Sequence, residues 1–374
     1  MKISFLSVFP PYRGGIAQHS SQLKKYLSKK HHLQTINFKK LYPNIFFPGK
    51  NQFSDSSLIQ GKRILNSINI ISWYRTLRVI KKFKPDIFIF KFWNPFFVPC
   101  LYFILKGLKS NKQIKIIMVC DNIKPHESFP FSNFLIKKII RLVDGFIVQS
   151  SIVESELKTF IKNPMYLKRF HPIYDNYPEK LDLKKARSKI KISHSNVILF
   201  FGLVRAYKGL DVLLKSIKNI FKKNKDIMLL IVGESYEDEN KYKKLILDSG
   251  FQDRVIWINK FVSDNDVSLY FSAADLVVLP YKSASQSGVV PLAYNYEKPV
   301  VSSDLKSLSE VIVNGETGYT FKTQSELESI IIKFFENFDD KFYTEKIKEH
   351  KKLFSWEKFA SSITELYDSI NEKL

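Results

Sequence analysis

Short apolar runs followed by amphipathic stretches recur along nearly the whole chain, and this alternation restricts the fold more than any other feature. "KISFLSVF" reads as a strand and "AQHSSQLKKYLSKK" as the helix after it. "HHLQTINF" is the next candidate strand, "SWYRTLRVIKKF" a helix, and "KPDIFIFKF" a strand entered through Pro85. "QIKIIMVC" and "DGFIVQS" are further strands, with the helix "FSNFLIKKIIRLV" between them and "SIVESELKTF" after, capped by Ser150 or Ser151. The series restarts at "NVILFFG" and runs through "IMLLIVG", "RVIWI", "DLVVLP" and "KPVVSS", again with helices between. Strands that are apolar on both faces belong to parallel sheets covered by helices on both sides. Two series in 374 residues, more than one core usually organises, predict two doubly wound α/β domains. The polar, strand-poor stretch 172–195 marks the seam. Residues 40–70 have weak periodicity and are expected to form a long loop or mobile segment.

The hydrophobic fraction of 45% speaks against disorder, and two cysteines, Cys100 and Cys120, make no disulfide framework and suit a reducing cytoplasm. The opening segment is too short for a secretory signal and reads as the first buried strand. The best candidate for a membrane span, "IFIFKFWNPFFVPCLYFILKGL", is broken by Lys91, Asn94, Pro95 and Pro99. It reads instead as a buried strand, a turn and a short helix. Charge is sided along the sequence. Residues 1–180 hold 30 Lys and Arg against 9 acids, and residues 181–374 hold 29 against 27, so nearly all of the net charge of +23 lies in the first half. Such a half attracts polyanions or an anionic membrane face.

In open parallel sheets, ligands collect beyond the carboxyl ends of the strands, so the residues following each strand are the candidates. Gly14-Gly15 follow the first strand and let a ligand approach a helix start. "DNIKPHE" follows "QIKIIMVC" and brings Asp121, Asn122, His126 and Glu127 within seven positions, a set able to hydrogen-bond sugar hydroxyls or move protons. In "VILFFGLVRAYKGLDVLLKS", Arg205 and Lys208 stand where a strand hands over to a helix. Cations there oppose the helix dipole, which points to an anion, and both suit phosphate oxygens. Glu234 follows "IMLLIVG" and offers a carboxylate to a base or hydroxyl. Gln286-Ser287-Gly288 precede an apolar helical run, with Ser287 as cap and the N–H groups near Gly288 as a second cradle. The histidines and cysteines show no metal-ligand spacing.

"GLVRAYKGLDVLL", "LPYKSASQSGVVPLAYNYEKPVV" and "SEVIVNGETGYTF" resemble the retaining glycosyltransferases of family four. "FPPYRGGIAQHS", "KFWNPFFVP", "VCDNIKPHE" and "HPIYD" are similar to one bacterial branch of it, the branch with the "QSG" loop. The resemblance covers nearly the whole chain, in order. It implies the GT-B fold: two Rossmann-like doubly wound domains facing across a cleft, the acceptor mainly on residues 1–180, the nucleotide-sugar mainly on residues 181–355, and a last helix, 356–374, crossing back to the first domain. It implies transfer with retention of anomeric configuration, no metal, and no cofactor beyond the nucleotide-diphosphate-sugar co-substrate. Arg205 and Lys208 become the diphosphate ligands, Gly14-Gly15 the loop over the donor, and Asp121 with His126 the catalytic pair in place of the family's first-domain histidine. Glu234, Gln286, Ser287 and Gly288 complete the donor set. The chain departs from the family where two glutamates eight apart are usual: Ala284 and Leu292 stand there.

The resulting expectation is a cytoplasmic enzyme, peripheral on the inner face of the cell membrane through its basic first domain, using a lipid-linked or polysaccharide glycan as acceptor in bacterial surface polysaccharide synthesis. Three rivals stay open. A sugar-nucleotide epimerase would use the same fold without an acceptor. An inactive sugar-nucleotide-binding relative would account for the missing glutamates. A nucleic-acid binder is suggested by charge alone, with no recognised module.

Overall fold

The structure, a computed structural model, describes residues 1–43, 52–53, 59–125, 130–175 and 177–372. The chain divides into two compact units. Met1–Pro172 with Ser355–Leu374 form the first, and Ile173–Phe354 the second.

The first unit is built on seven parallel strands: β1 (Lys2–Leu6), β2 (His32–Lys40), β3 (Lys62–Asn66), β4 (Ile87–Phe92), β5 (Lys115–Cys120), β6 (Gly145–Val148) and β7 (Tyr166–Lys168). Their order is β3-β2-β1-β4-β5-β6-β7. Side chains alternate across the sheet, as a pleated strand requires. Phe88, Phe90, Ile116 and Met118 enter one core layer, and Ile87, Ile89, Ile117 and Val119 the other. The first layer is covered by α2 (Ile70–Phe83), α3 (Val98–Lys109), α4 (Ser132–Ile140) and α5 (Ser151–Phe160). The second is covered by α1 (Gly15–Leu27) and the C-terminal helix Trp356–Glu372, which packs on α1 and on β6 through Phe359, Ile363, Leu366 and Ile370. Ser150 caps α5, its hydroxyl accepting from the Val153 N–H at 3.2 Å. The span 87–108 is a buried strand, a short turn of 3₁₀ helix at Pro95–Phe97 and all of α3 but its last residue. Among the described residues no helix is long and apolar enough to cross a membrane.

Residues 40–70 differ from expectation. They contain β3, an edge strand paired with β2 through an irregular register. One ladder and a half-exposed surface suffice for Lys62–Asn66, so the segment carries no apolar alternation to read. Residues 44–51 and 54–58 of that stretch lie outside the described residues.

The second unit repeats the plan with six parallel strands: β8 (Asn196–Phe201), β9 (Ile227–Val232), β10 (Val255–Ile258), β11 (Leu276–Leu279), β12 (Val300–Ser303) and β13 (Gly318–Phe321), in the order β10-β9-β8-β11-β12-β13. Its helices are α6 (Leu183–Lys189), α7 (Leu210–Lys223), α8 (Glu239–Ser249), α9 (Val267–Ala273), α10 (Val289–Asn295), α11 (Lys306–Ser309), α12 (Gln324–Glu336) and α13 (Asp340–His350). In each unit the chain builds outward from the first strand in both directions. The order therefore switches between β1 and β4, and between β8 and β11. Connections leave such a neighbouring pair in opposite directions, opening a crevice beyond their carboxyl ends.

Candidate functional site

In the second unit the switch point is flanked by residues 202–209 after β8 and 280–288 after β11. Gly209 has φ +67 and begins α7, and a Cβ on it would lie 1.8 Å from the Pro280 carbonyl oxygen. Only glycine lets this turn press against the end of β11. Lys208 lies just before it and folds back over the end of β8, where a Cβ on Gly202 (φ +105) would stand 2.7 Å from its Nζ. A side chain at residue 202 would displace the ammonium. The Nζ also lies 5.5 Å from the centroid of the Tyr281 ring. Tyr281 is buried, its hydroxyl pushed up to about 12 by burial, and it faces Ser287 without a well-formed hydrogen bond. The Ser287 hydroxyl accepts the Val289 N–H at 3.2 Å. Gly202, Lys208, Tyr281 and Ser287 thus gather at one point on the carboxyl edge.

Burial holds the Lys208 ammonium below its ordinary value, and the neighbouring Arg205 pushes in the same direction. Among the described residues no carboxylate forms an ion pair with Lys208, although nearby Lys282 takes Asp211 at 2.8 Å. A desolvated lysine at a strand end, confined by glycine, is arranged for an anion that the protein does not supply. Arg205 precedes the short 3₁₀ turn Ala206–Lys208, with its guanidinium 5.1 Å from the Tyr236 ring centroid. Glu234 is buried after β9, its carbonyl accepting the Val204 N–H at 2.9 Å. Gln286 is half-buried and Gly288 is helical in conformation (φ −70), ahead of an α10 of seven residues. Ala284 and Leu292 are both buried.

In the first unit Gly14 (φ +106) precedes α1 and Gly15 is its first residue; no side chain caps that helix. The loop before it is held by the buried Asn37 of β2. Its amide donates to the carbonyls of Phe9 at 3.0 Å and Pro10 at 3.2 Å, and its oxygen accepts the Phe9 N–H at 3.2 Å. Asp121 follows β5 and is buried. Its Oδ1 meets the Lys91 ammonium at 2.9 Å and accepts from the Gln149 amide at 3.0 Å. These three residues come from the ends of the neighbouring strands β4, β5 and β6. Lys91 shares strand parity with Ile87 and Ile89, so it points to the α1 face, toward His19. Burial holds the Lys91 ammonium below its ordinary value, and Asp121 opposes that shift. Burial likewise keeps His19 well below the ordinary histidine value, with Lys91 and His171 adding to the effect. The His19 and His171 rings meet edge to face with centroids 4.8 Å apart. His126 lies outside the described residues. In the sequence Lys91 reads only as a break in an apolar run. A lysine inside such a strand was the available signal for a buried partner.

Residues 182–352 match the family described as Glycosyl transferases group 1. An uncharacterized glycosyltransferase of Methanocaldococcus jannaschii is 24% identical, over 98% of this chain and 98% of its own length. Spore coat protein SA of Bacillus subtilis is 24% identical over 54% of this chain, and the chain spans 56% of it. The crystal structure of Anabaena HepE in complex with UDP and glucose superposes with a TM-score of 0.76 at 14% identity, covering 99% of this chain and all of that one. The fold is GT-B, with two Rossmann-like α/β domains. Fold, family match and relatives together support a GT-B glycosyltransferase.

Proposed function

We propose that the protein is a retaining glycosyltransferase. It moves a sugar from a nucleotide-diphosphate-sugar to a lipid-linked or polysaccharide acceptor in bacterial surface polysaccharide synthesis, at the inner face of the cell membrane. One observation carries the reading: the half-buried Lys208 ammonium, without a carboxylate partner among the described residues, folded over Gly202 at the switch point of the second sheet. In this reading Arg205 and Lys208 hold the donor diphosphate, and Gly14-Gly15, Glu234, Gln286, Ser287 and Gly288 complete the donor contacts. As the glycosidic bond to phosphate breaks, negative charge grows on the leaving diphosphate. Cations already fixed there stabilise it without reorganisation. The acceptor hydroxyl attacks from the face the phosphate leaves, and that phosphate takes its proton. In this reading Asp121 and His126 are the catalytic pair. The Lys91 ammonium and the Gln149 amide, both on its Oδ1, hold the Asp121 carboxyl in place.

The test offers UDP-, GDP-, dTDP- and ADP-hexoses with a lipid-linked glycan extract and reads the anomeric coupling of the product by NMR. The donor's own anomer is expected in the product. An inverted anomer would overturn the retaining mechanism, and isomerised donor without transfer would favour the epimerase. Buried Ala284 and Leu292, where family members place glutamates, favour the inactive relative as second reading. Donor binding with neither product nor isomerisation would establish it.

A further inference from the structure

Besides Met1, Phe53 and Ile59, the large exposed apolar side chains of the first unit fall in two groups. Ile68, Ile70, Ile71 and Tyr74 cluster at the start of α2, and Phe131 and Phe134 at the start of α4. Phe131 is 83% exposed. Helix α2 joins β3 to β4, and α4 joins β5 to β6, each between parallel strands. Both helices therefore run against the strands, and both starts lie at the carboxyl edge of the sheet. Helix α3 packs between them, against α2 on one side and α4 on the other. At usual helix spacing the two apolar tips stand about 20 Å apart.

The charge on α2, α3 and α4 is of one sign, whereas α5 on the same layer carries Glu154 and Glu156. None of α2, α3 and α4 contains an acidic residue. Arg75, Arg78, Lys81 and Lys82 are exposed along α2, and Lys137 and Lys138 along α4, with the Lys138 Nζ 5.1 Å from the Phe134 ring centroid. On the opposite face the C-terminal helix carries Glu357, Glu365, Asp368 and Glu372. Apolar tips followed by acid-free basic helices have the make-up of a surface that dips into the headgroup region and meets anionic lipid.

The structure assigns the starts of α2 and α4 as a membrane-docking surface for anionic phospholipid, which would set the carboxyl edge of the first sheet, with Gly14-Gly15 and Asp121, toward the bilayer. The assignment rests on the proposed membrane location and adds the residues that make the contact. A protein ligand would be expected to meet these cations with a compact acidic patch. A bilayer needs only negative charge spread in a plane and depth for six side chains.

The test is co-sedimentation of the full chain at low salt with phosphatidylcholine vesicles, and with vesicles of equal parts phosphatidylcholine and phosphatidylglycerol. Wild type is expected to bind only the anionic vesicles. Lys137→Ala/Lys138→Ala is expected to bind about thirtyfold more weakly, and Ile71→Ser/Phe134→Ser about tenfold. All sites are exposed, and thermal melts check that the variants fold. Lys222→Ala/Lys223→Ala, the same charge change at the exposed end of α7, is expected to bind like wild type. Equal binding to both vesicle types, or variants that bind like wild type, would overturn the assignment. So would self-association, or binding to single-stranded nucleic acid, that Phe134→Ser abolishes in place of vesicle binding. Binding of nucleoside diphosphates to the same preparations separates this claim from the transferase reading. Vesicle binding without diphosphate binding sinks only the transferase, and the reverse sinks only the docking surface.

Discussion

Asp121→Leu is expected to destabilise the first unit by about 3–5 kcal/mol, while Lys91→Met/Asp121→Leu recovers most of the loss. The Lys91 side chain is 0% exposed and that of Asp121 6%. Breaking a buried pair strands a charge, whereas replacing both partners with apolar groups of similar volume is close to neutral. Burial already holds Lys91 below its ordinary value, and without Asp121 the folded protein sheds that proton more readily. The unfolded chain keeps it up to the ordinary value of 10.5. The single variant's deficit therefore shrinks as pH rises into the alkaline range, because the unfolded state there binds more protons than the folded one. Thermal melts of the two variants at neutral and alkaline pH measure both effects. A single variant as stable as wild type at neutral pH would show that the pair is not what satisfies Lys91. The double variant, once folded, also separates stability from chemistry: loss of transfer with an intact fold assigns the Lys91–Asp121 pair to the reaction.

For Lys208 the expected effects on stability and binding have opposite signs. Its ammonium is held below the ordinary lysine value by burial and by Arg205. The unfolded chain thus binds more protons up to 10.5, and stability of the unliganded protein rises with pH across that window. Lys208→Met removes the desolvated charge. The variant is expected to melt above wild type at neutral pH and to lose that part of the pH dependence. It is also expected to bind nucleoside diphosphate about a hundredfold more weakly, since a charge-assisted contact to phosphate contributes about 2–3 kcal/mol. Ligand at a hundred times its dissociation constant stabilises wild type by about 2.7 kcal/mol, and most of that shift disappears in the variant. Arg205→Ala is expected to lose the ligand shift without the gain in unliganded stability, because its half-buried guanidinium rests against the Tyr236 ring, a contact the substitution also removes. Differential scanning fluorimetry with UDP, GDP, dTDP and ADP reads all of these outcomes. An unliganded Lys208→Met protein that melts below wild type, yet keeps its ligand shift, would make Lys208 structural.

The two-sheet architecture was legible because β4, β5, β9 and β11 are buried on both faces and read as apolar runs, interrupted in β4 by Lys91 alone and opened in β5 by Lys115. The edge strands β3 and β7 carry half-exposed, cationic residues, and nothing in "KRILN" or "YLK" separates them from a loop. The same local limit governs the site. Arg205 and Lys208 were visible because a strand end, two glycines and a helix start lie within one short segment. Tyr281 was not singled out, because its role depends on Lys208, far away in sequence, coming within 5.5 Å of its ring centroid. Lys91 and Asn37 were missed for the same reason: each acts across neighbouring strands, and strand order is set by the whole sheet. The charge asymmetry was legible as a total, but its concentration on α2, α3 and α4, away from the C-terminal helix, depends on which helices share a face.

The most direct test of the central claim, that the carboxyl edge of the second sheet holds the donor, is hydrogen exchange of the full chain with and without nucleotide-diphosphate-sugar. Slower exchange is expected in residues 202–209, 233–236 and 281–289, and that protection is expected to disappear in Arg205→Ala/Lys208→Met. Protection confined to other segments, or protection of these segments that survives the double substitution, would contradict the account.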